Sequence, residues 1–173
     1  MVCAGSSVSA TSWAAVAAAC GRGGTGAAES NAARPKINPV ADADDFHPAA
    51  NIEKIRQGVA LNDGDRRPWL DLLRTNIETW SSAGVNVVLA CSALKEAYRQ
   101  ELSAGSKVQF VYLKGNADLI ARRLRLRHGH FADAQILASQ LADLEEPQAV
   151  VTVDIDKPLK QIVCEIREKL HLA

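Results

Sequence analysis

The sequence lacks a membrane-spanning stretch, a net charge and an abundance of aromatic residues. Its 173 residues contain 20 basic and 20 acidic side chains, and only 5% of them are aromatic. No apolar run approaches the roughly 18 residues that cross a bilayer, which excludes a transmembrane helix. The balanced charge argues against a main role in binding nucleic acid or an anionic membrane surface. This composition is typical of one ordinary globular domain.

The cysteines are too far apart in the sequence for a paired metal or redox motif. No C-x-x-C pair and no dense disulfide framework is present among the four: Cys3, Cys20, Cys91 and Cys164. We therefore expect buried or unreactive thiols in a reducing compartment, which favours the cytoplasm.

Large aliphatic residues are missing from the first 33 residues. This segment contains 21 Ala, Gly or Ser, two charged residues and no Leu, Ile or Phe, whereas the remaining 140 residues carry the other 38 charges. A secretory signal would need basic residues before its apolar core, and none precedes residues 11–20. We predict a weakly structured or degenerate segment over residues 1–40 and a folded domain over residues 41–173.

Helical and strand patterns alternate beyond residue 40. A helix is predicted over residues 65–80, because five apolar side chains share one stripe: Trp69, Leu72, Leu73, Ile77 and Trp80. Further helices are predicted over residues 48–58, 116–126, 133–144 and 158–170. Short β-branched runs at residues 85–90, 107–113 and 149–155 predict buried strands. The alternation indicates an α/β fold with a mainly parallel sheet covered on both faces.

Two clusters of charge are candidates for chemistry. Asp42, Asp44 and Asp45 follow a predicted strand, at the sheet edge where ligands bind, so they form either a ligand site or a solvated turn. Four arginines lie close together at one helix end: Arg122, Arg123, Arg125 and Arg127. They form either a lid that binds phosphate or a solvated helix face. Carboxylates beside mobile arginines are the parts that phosphoryl transfer requires.

A complete phosphate-binding loop is absent. The Walker pattern G-x-x-x-x-G-K-[ST] wraps phosphates with backbone N–H groups and adds a lysine and a Mg²⁺-binding hydroxyl. Here Gly21, Gly24 and Gly26 keep a suitable glycine spacing, but Ala27 and Ala28 stand at the Lys and Ser/Thr positions. The segment is either a degenerate phosphate loop or a chance match in an Ala/Gly-rich stretch.

Ordered motifs across residues 41–173 carry a family resemblance. They are DADDFHP (42–48), NIEK (51–54), LND (61–63), DR (65–66), PWL (68–70), ACSALK (90–95), YR (98–99), RL (123–124), Arg127, GHF (129–131), SQ (139–140) and LEEP (144–147). On these residues the chain resembles the gluconate kinases, P-loop sugar-acid kinases related to shikimate kinase. The resemblance implies a three-layer P-loop kinase-like fold with an Arg-rich lid near residues 122–133.

The resemblance also implies a reaction and roles for individual residues. The reaction is transfer of the ATP γ-phosphoryl group to the 6-hydroxyl of D-gluconate with Mg²⁺. Asp42 would lie near the Mg²⁺, and Asp44 would orient or deprotonate the acceptor hydroxyl. Arg123 would lie near the adenine, and Arg127 would reach the transferring phosphate. Three basic residues are implied gluconate ligands: Arg66, Lys95 and Arg99.

The N-terminal segment departs from the family pattern. Family members begin with an apolar strand that runs into the glycine-rich loop, whereas here the Walker lysine and hydroxyl are missing and two prolines interrupt the following helix region. This predicts impaired phosphotransfer. Three alternatives remain: a non-catalytic sugar-acid-binding or regulatory paralogue, an aberrant N-terminal gene model, and a kinase for another polyol acid. The family resemblance also implies a homodimer.

Overall fold

The computed structural model describes residues 40–126 and 134–172, and their order is that of an α/β protein. Strand β1 (Val40–Asp42) leads through a 3-10 helix (Ala43–Phe46) to α1 (Ala49–Arg56) and α2 (Asp63–Ser82). The remaining elements follow in order: β2 (Val88–Ala90), α3 (Glu96–Ser103), β3 (Val111–Lys114), α4 (Ala117–Leu126), α5 (Ala134–Asp143), β4 (Val151–Asp154) and α6 (Leu159–Lys169). The predicted α/β class is confirmed.

The four strands of the described residues form two parallel pairs. Strand β1 pairs with β2, with Val40 opposite Val88, and β3 pairs with β4, with Val111 opposite Val151. In β2 the burial alternates, since Leu89 is buried while Val88 is exposed. Parallel pairing brings the carboxyl ends of neighbouring strands to one edge, where the acidic residues lie.

Each strand pair has its own apolar core. The first combines α2, α3 and β2 around Leu73, Leu89 and Leu102. The second combines helices α4, α5 and α6 with β3 and β4 around Val111 and Val153. The two halves are joined after α5, where the Glu145 N–H donates to the Leu94 carbonyl oxygen at 2.9 Å. The segment after α5 is thereby fixed to the loop that follows β2.

The observed helix α2 begins two residues before the predicted start. Asn62 forms a capping box with Asp65, in which each side chain accepts a hydrogen bond from the other residue's backbone N–H, at 2.9 and 3.1 Å. The predicted apolar stripe is correct except for Leu72, which is 45% exposed. Leu72 lies at the edge of the stripe, where the helix turns away from the core.

The strands are shorter than the predicted apolar runs. Residue 85 was predicted to start a strand, but the Val85 N–H donates to the Trp80 carbonyl oxygen at 2.9 Å and so completes the end of α2. Gly84 supplies the positive φ of 65° that this ending needs. Similarly, the Val108 N–H donates to Ser106, and β3 begins only at Val111. At these positions the backbone N–H groups therefore form hydrogen bonds within local turns and not with a neighbouring strand.

No helix within residues 40–126 and 134–172 is long and apolar enough to cross a membrane. Residues 1–39 of the predicted N-terminal segment lie outside the described residues. Of the predicted lid, residues 122–126 belong to α4 and residues 127–133 lie outside the described part.

Candidate active site

A cleft of about 500 Å³, a volume that includes some open solvent, lies at the carboxyl end of the first strand pair. Its wall includes Asp44 and His47 from the segment after β1, and Arg66 and Trp69 from α2. The loop after β2 and helix α5 supply the other polar groups: Ser92, Ser139 and Gln140. The cleft thus combines one carboxylate, one guanidinium and several neutral donors, a set suited to a polyhydroxylated anion.

The two predicted carboxylates are held by the turn that follows β1. Asp42 is the last residue of the strand, and its Oδ1 accepts the Asp44 backbone N–H at 3.1 Å. Ala43, between them, is fully buried, and its carbonyl oxygen accepts the Trp69 indole N–H at 2.7 Å. The turn is therefore tied to α2, and Asp44 lines the cleft with its side chain 17% exposed.

The imidazole of His47 is enclosed by Trp69 and Asn51. The His47 and Trp69 rings are stacked, with centroids 4.7 Å apart and planes at 14°. Asn51 is buried and donates from Nδ2 to the Asp65 carbonyl oxygen at 2.7 Å, while the same nitrogen lies 3.5 Å from His47 Nδ1. Burial, together with the positive charge of Arg66, lowers the pKa of His47 from 6.5 to about 4. The imidazole is therefore neutral at physiological pH.

Arg66 is the buried cation of the cleft. Its Nη1 and Nη2 both donate to Asp143 Oδ2 at 3.1 Å, and Nη1 also donates to the Tyr98 hydroxyl at 3.2 Å. A guanidinium carries five N–H groups, and these bonds use three of them. Arg66 thus links α2 to α3 and α5 while its side chain lines the cleft. It is the predicted gluconate ligand that the structure brings together with Asp44.

Lys95, a second predicted gluconate ligand, is held outside the cleft wall. Its Nζ donates to Asp63 Oδ1 at 2.7 Å and lies 3.0 Å from Oδ2. The Tyr98 hydroxyl donates a short hydrogen bond to the same carboxylate. The bonds from Lys95 and Tyr98 lower the pKa of Asp63, and the bond to Asp63 raises the pKa of Lys95. This ion pair borders Arg66, whose Nη1 lies 3.9 Å from Asp63 Oδ1, and is not among the groups of the cleft wall.

Arg99, the third predicted gluconate ligand, is engaged by the protein itself. The residue is 3% exposed, and it is not part of the cleft wall. Its Nη1 donates to the Ala93 and Leu94 carbonyl oxygens at 2.8 and 3.1 Å, and its Nη2 donates to the Glu145 carbonyl oxygen at 2.8 Å. The geometry does not favour the predicted substrate role, because these backbone groups occupy the fork. Arg99 instead joins the loop after β2 to the segment after α5.

The predicted nucleotide ligands are described only in part. Arg123 lies in the last turn of α4, and its Nη2 donates to the Ile155 carbonyl oxygen at 2.8 Å, directly after β4. This places it at the carboxyl edge of the second strand pair. The other predicted residues of the nucleotide side lie outside the described residues: Gly21, Gly24, Gly26 and Arg127.

Sequence comparison finds close relatives over most of the chain. A probable gluconokinase of Xenopus tropicalis is 42% identical over 144 residues, which cover 72% of this chain and 76% of the relative. The thermoresistant gluconokinase of Escherichia coli K12 is 43% identical over 127 residues, covering 70% and 73%. The chain belongs to the gluconokinase family. No general protein-family model matches it.

Solved structures support the same family and confirm the predicted P-loop kinase-like fold. An unliganded sugar kinase from Janibacter sp. HTCC2649 superposes with a TM-score of 0.73 at 38% identity, covering 79% of this chain and 81% of that one. A gluconokinase from Sinorhizobium meliloti 1021 gives a TM-score of 0.65 at 35% identity, covering 78% and 81%.

The described residues of this gluconokinase-family chain fit a Mg²⁺ ion that is held jointly with the substrate phosphates, and not one that is held by protein side chains alone. Residues 40–126 and 134–172 contain no cluster of three or more His, Cys, Asp or Glu side chains that could hold a metal ion. Mg²⁺ is commonly held by one or two carboxylates together with substrate phosphates. Asp42, at the end of β1, is compatible with that arrangement.

The Cys91 thiol, in the loop after β2, resists ionisation. Cys91 is buried, and burial is the main reason why its pKa is raised to about 12, with the charges of Asp44 and Asp42 adding to the effect. Cys91 and the exposed Cys164 are free thiols. Cys3 and Cys20 lie outside the described residues.

Five residues of the cleft wall are not among the candidate site residues identified from the sequence: His47, Trp69, Ser92, Ser139 and Gln140. All five lie inside the motifs that carry the family resemblance, so membership in a motif was the available signal. Trp69 was assigned to the apolar stripe of α2, which is correct, but its ring also supports His47. A residue can therefore serve the core and the cleft together.

Proposed function

We propose that this chain is a phosphotransferase of the gluconokinase type, acting on ATP and D-gluconate to give ADP and 6-phospho-D-gluconate. The observation that carries the proposal is the meeting of Asp44 and Arg66 in one cleft at the strand ends. A carboxylate can accept a proton from a hydroxyl, and a guanidinium can bind a carboxylate. Gluconate carries both a terminal hydroxyl and a carboxylate, and relatives of this chain are named gluconokinases.

In the proposed reaction the 6-hydroxyl oxygen of gluconate attacks the γ-phosphorus of ATP. The new O–P bond forms as the bond from the γ-phosphorus to the β–γ bridging oxygen breaks, and ADP leaves. Asp44 orients the hydroxyl and takes its proton. Arg66 binds the gluconate carboxylate through N–H groups other than the three used by Asp143 and Tyr98. Since Arg66 is fixed by its hydrogen bonds and Asp44 is carried by a turn that is tied to α2, the cleft orients the acceptor before transfer.

The nucleotide side of the proposal rests on four assignments. Asp42 would hold Mg²⁺, whose charge stabilises the phosphates when the cation is bound. Arg123 would contact the adenine, which its place at the end of β4 supports. Arg127 would neutralise the transferring phosphoryl group, and a degenerate loop containing Gly21, Gly24 and Gly26 would bind the ATP phosphates. Each remains a prediction for mutagenesis.

We further propose that turnover by this chain is slow. The sequence has Ala27 and Ala28 where a Walker loop has its lysine and Mg²⁺-binding hydroxyl. Loss of such charge-stabilising groups typically lowers the rate by about two to three orders of magnitude each. The same feature favours a second candidate function, a regulatory or sugar-acid-binding paralogue that keeps the gluconate cleft without catalysis. An aberrant N-terminal gene model would have the same consequence, because it keeps the folded domain over residues 41–173 but not its phosphate-binding loop.

Two substitutions separate these candidates. Ala27→Lys with Ala28→Ser completes the pattern G-x-x-x-x-G-K-S from Gly21 onward, and the same exchange at Ala32 and Ala33 is the matched control. A coupled assay with ATP and gluconate measures turnover, and titration calorimetry measures gluconate binding. Turnover only in the A27K/A28S chain supports an impaired kinase. Binding without turnover in all chains supports the regulatory candidate, whereas absence of gluconate binding contradicts both.

Three finer points belong to the same proposal. Turnover of another polyol acid faster than gluconate would replace the substrate named here. A homodimer is expected from the family resemblance, and sedimentation of the full chain measures it. Residence in the cytoplasm is expected because free thiols such as Cys91 suit a reducing compartment.

A further inference from the structure

His47 is the polar residue of the cleft that the proposed reaction leaves without a role. Its side chain is 7% exposed, and its ring lines the cleft next to Asp44 and Trp69. Stacking on Trp69 fixes the plane of the imidazole, since the two rings lie within 14° of parallel. A buried, oriented and neutral imidazole has one nitrogen that donates and one that accepts, so its tautomer determines what it binds.

Asn51 indicates which nitrogen of His47 carries the hydrogen. The Asn51 amide nitrogen donates to the Asp65 carbonyl oxygen at 2.7 Å, and a carbonyl can only accept, so the orientation of this amide is fixed. The same NH₂ group faces His47 Nδ1 at 3.5 Å. Because the Asn51 NH₂ group is a donor that faces Nδ1, it favours the tautomer in which Nδ1 carries no hydrogen. The hydrogen then resides on Nε2, on the side of the ring that faces Asp44.

The gap between His47 and Asp44 matches the size of one hydroxyl group. Nε2 and Asp44 Oδ1 are 4.0 Å apart, too far for a direct hydrogen bond. A hydroxyl oxygen about 2.8 Å from each atom would bridge them, accepting from Nε2–H and donating to the carboxylate. Because the carboxylate only accepts and Nε2–H only donates, the pair fits a hydroxyl and does not fit a methyl group.

We propose that His47 is a specificity-determining residue that holds, together with Asp44, the hydroxyl that receives the phosphoryl group. This inference rests on the proposed function, because it assigns the 6-hydroxyl of gluconate to the gap. The Nε2–H occupies one lone pair of that oxygen and leaves the other directed at the phosphorus. His47 thereby selects polyol acids with a terminal hydroxyl over analogues that lack it.

A ligand and variant cycle on the full chain tests the assignment. Titration calorimetry measures the dissociation constants of D-gluconate and 6-deoxygluconate for the unmodified chain and for His47→Phe and His47→Gln. Phe keeps a ring on Trp69 without the donor, whereas Gln keeps an N–H at the Nε2 position. Because one hydrogen bond is worth about a factor of ten in affinity, we expect the preference for gluconate to fall about tenfold in H47F and to return in H47Q.

The outcomes distinguish this inference from the proposed function. If gluconate binds and H47F weakens both ligands equally, His47 is a packing residue and the inference is overturned while the proposed function stands. If neither ligand binds the unmodified chain, the proposed function fails and takes the inference with it. A long-range ¹H–¹⁵N spectrum of the ligand-free chain, with His47 assigned by its loss in H47F, gives the tautomer directly. Protonation at Nδ1 would also overturn the inference.

Discussion

The indole N–H of Trp69 donates a 2.7 Å hydrogen bond to the carbonyl oxygen of Ala43, and both residues are buried. This bond joins the middle of α2 to the turn that carries Asp44. On its other side the Trp69 ring supports His47. One aromatic side chain therefore positions both polar groups that we assign to the acceptor hydroxyl.

Trp69→Phe is expected to destabilise the protein and to weaken gluconate binding. Phenylalanine leaves the buried Ala43 carbonyl without its donor, which costs about 1–3 kcal/mol. Urea unfolding gives the change in the free energy of unfolding, and calorimetry gives the affinity. Trp80→Phe is the matched control, because Trp80 is half-buried, packs edge-on against Phe46 and is not part of the cleft wall. A larger loss in W80F than in W69F would contradict this account.

The fold class was predictable from the sequence because periodicity reports burial. Helix α2 follows from the apolar stripe around Leu73 and Ile77, and β4 follows from a β-branched run. The ends of elements were less predictable, since they depend on single hydrogen bonds. The capping box of Asn62 and the bond from Val85 to Trp80 moved boundaries by two or three residues.

The composition of the site was predictable in part. Asp44 and Arg66 were expected, and both line the cleft. Arg99 shows what sequence position leaves open: a basic residue in a family motif can bind backbone carbonyls or a ligand, and in this fold Arg99 binds backbone carbonyls. The sequence does not reveal the place of His47 in the cleft, because a histidine before a proline is often only part of a turn. Its stack on Trp69 depends on contacts between α2 and the turn that no local pattern encodes.

Arg99→Lys is expected to lower stability without changing gluconate affinity. A lysine cannot reproduce the fork that binds the Ala93, Leu94 and Glu145 carbonyl oxygens, so buried acceptors lose partners at a cost of about 2–4 kcal/mol. Arg67→Lys is the matched control, since Arg67 is exposed on α2 and its ion pairs contribute about 0.5 kcal/mol or less. Urea unfolding and calorimetry check both effects. Normal stability with lost gluconate affinity in R99K would restore its predicted role as a ligand.

Asp44→Asn is expected to reduce turnover of the A27K/A28S chain with little loss of gluconate binding. An amide keeps the shape of the side chain but cannot take the hydroxyl proton, and loss of a general base lowers kcat by about 10²–10⁴-fold. Asp45→Asn is the control, because Asp45 is the exposed neighbour in the same turn. A coupled assay with separate kcat and KM values makes the comparison. Equal kcat values for the two variants would remove Asp44 from the reaction.

Stability should fall as the pH is lowered from 6.5 to 4, and His47 should cause much of that fall. With a folded pKa of about 4 and an ordinary pKa of 6.5, the unfolded chain binds a proton in this window that the folded chain does not. The slope of unfolding free energy against pH is then positive, and the loss across the window is on the order of 3 kcal/mol. Arg66 strengthens the effect, because a second positive charge beside it is unfavourable.

The variant His47→Phe isolates this contribution. Phe keeps an aromatic ring on Trp69 but does not titrate, so we expect its unfolding free energy to vary less with pH between 6.5 and 4. Asp63 and Asp65 do not obscure the comparison, because their pKa values are lowered from 3.8 and their contribution is lost only at lower pH. Urea unfolding at half-unit pH steps gives both curves. Parallel curves would show that His47 takes up its proton with the same pKa in the folded and the unfolded chain, which would contradict the lowering of its pKa by burial.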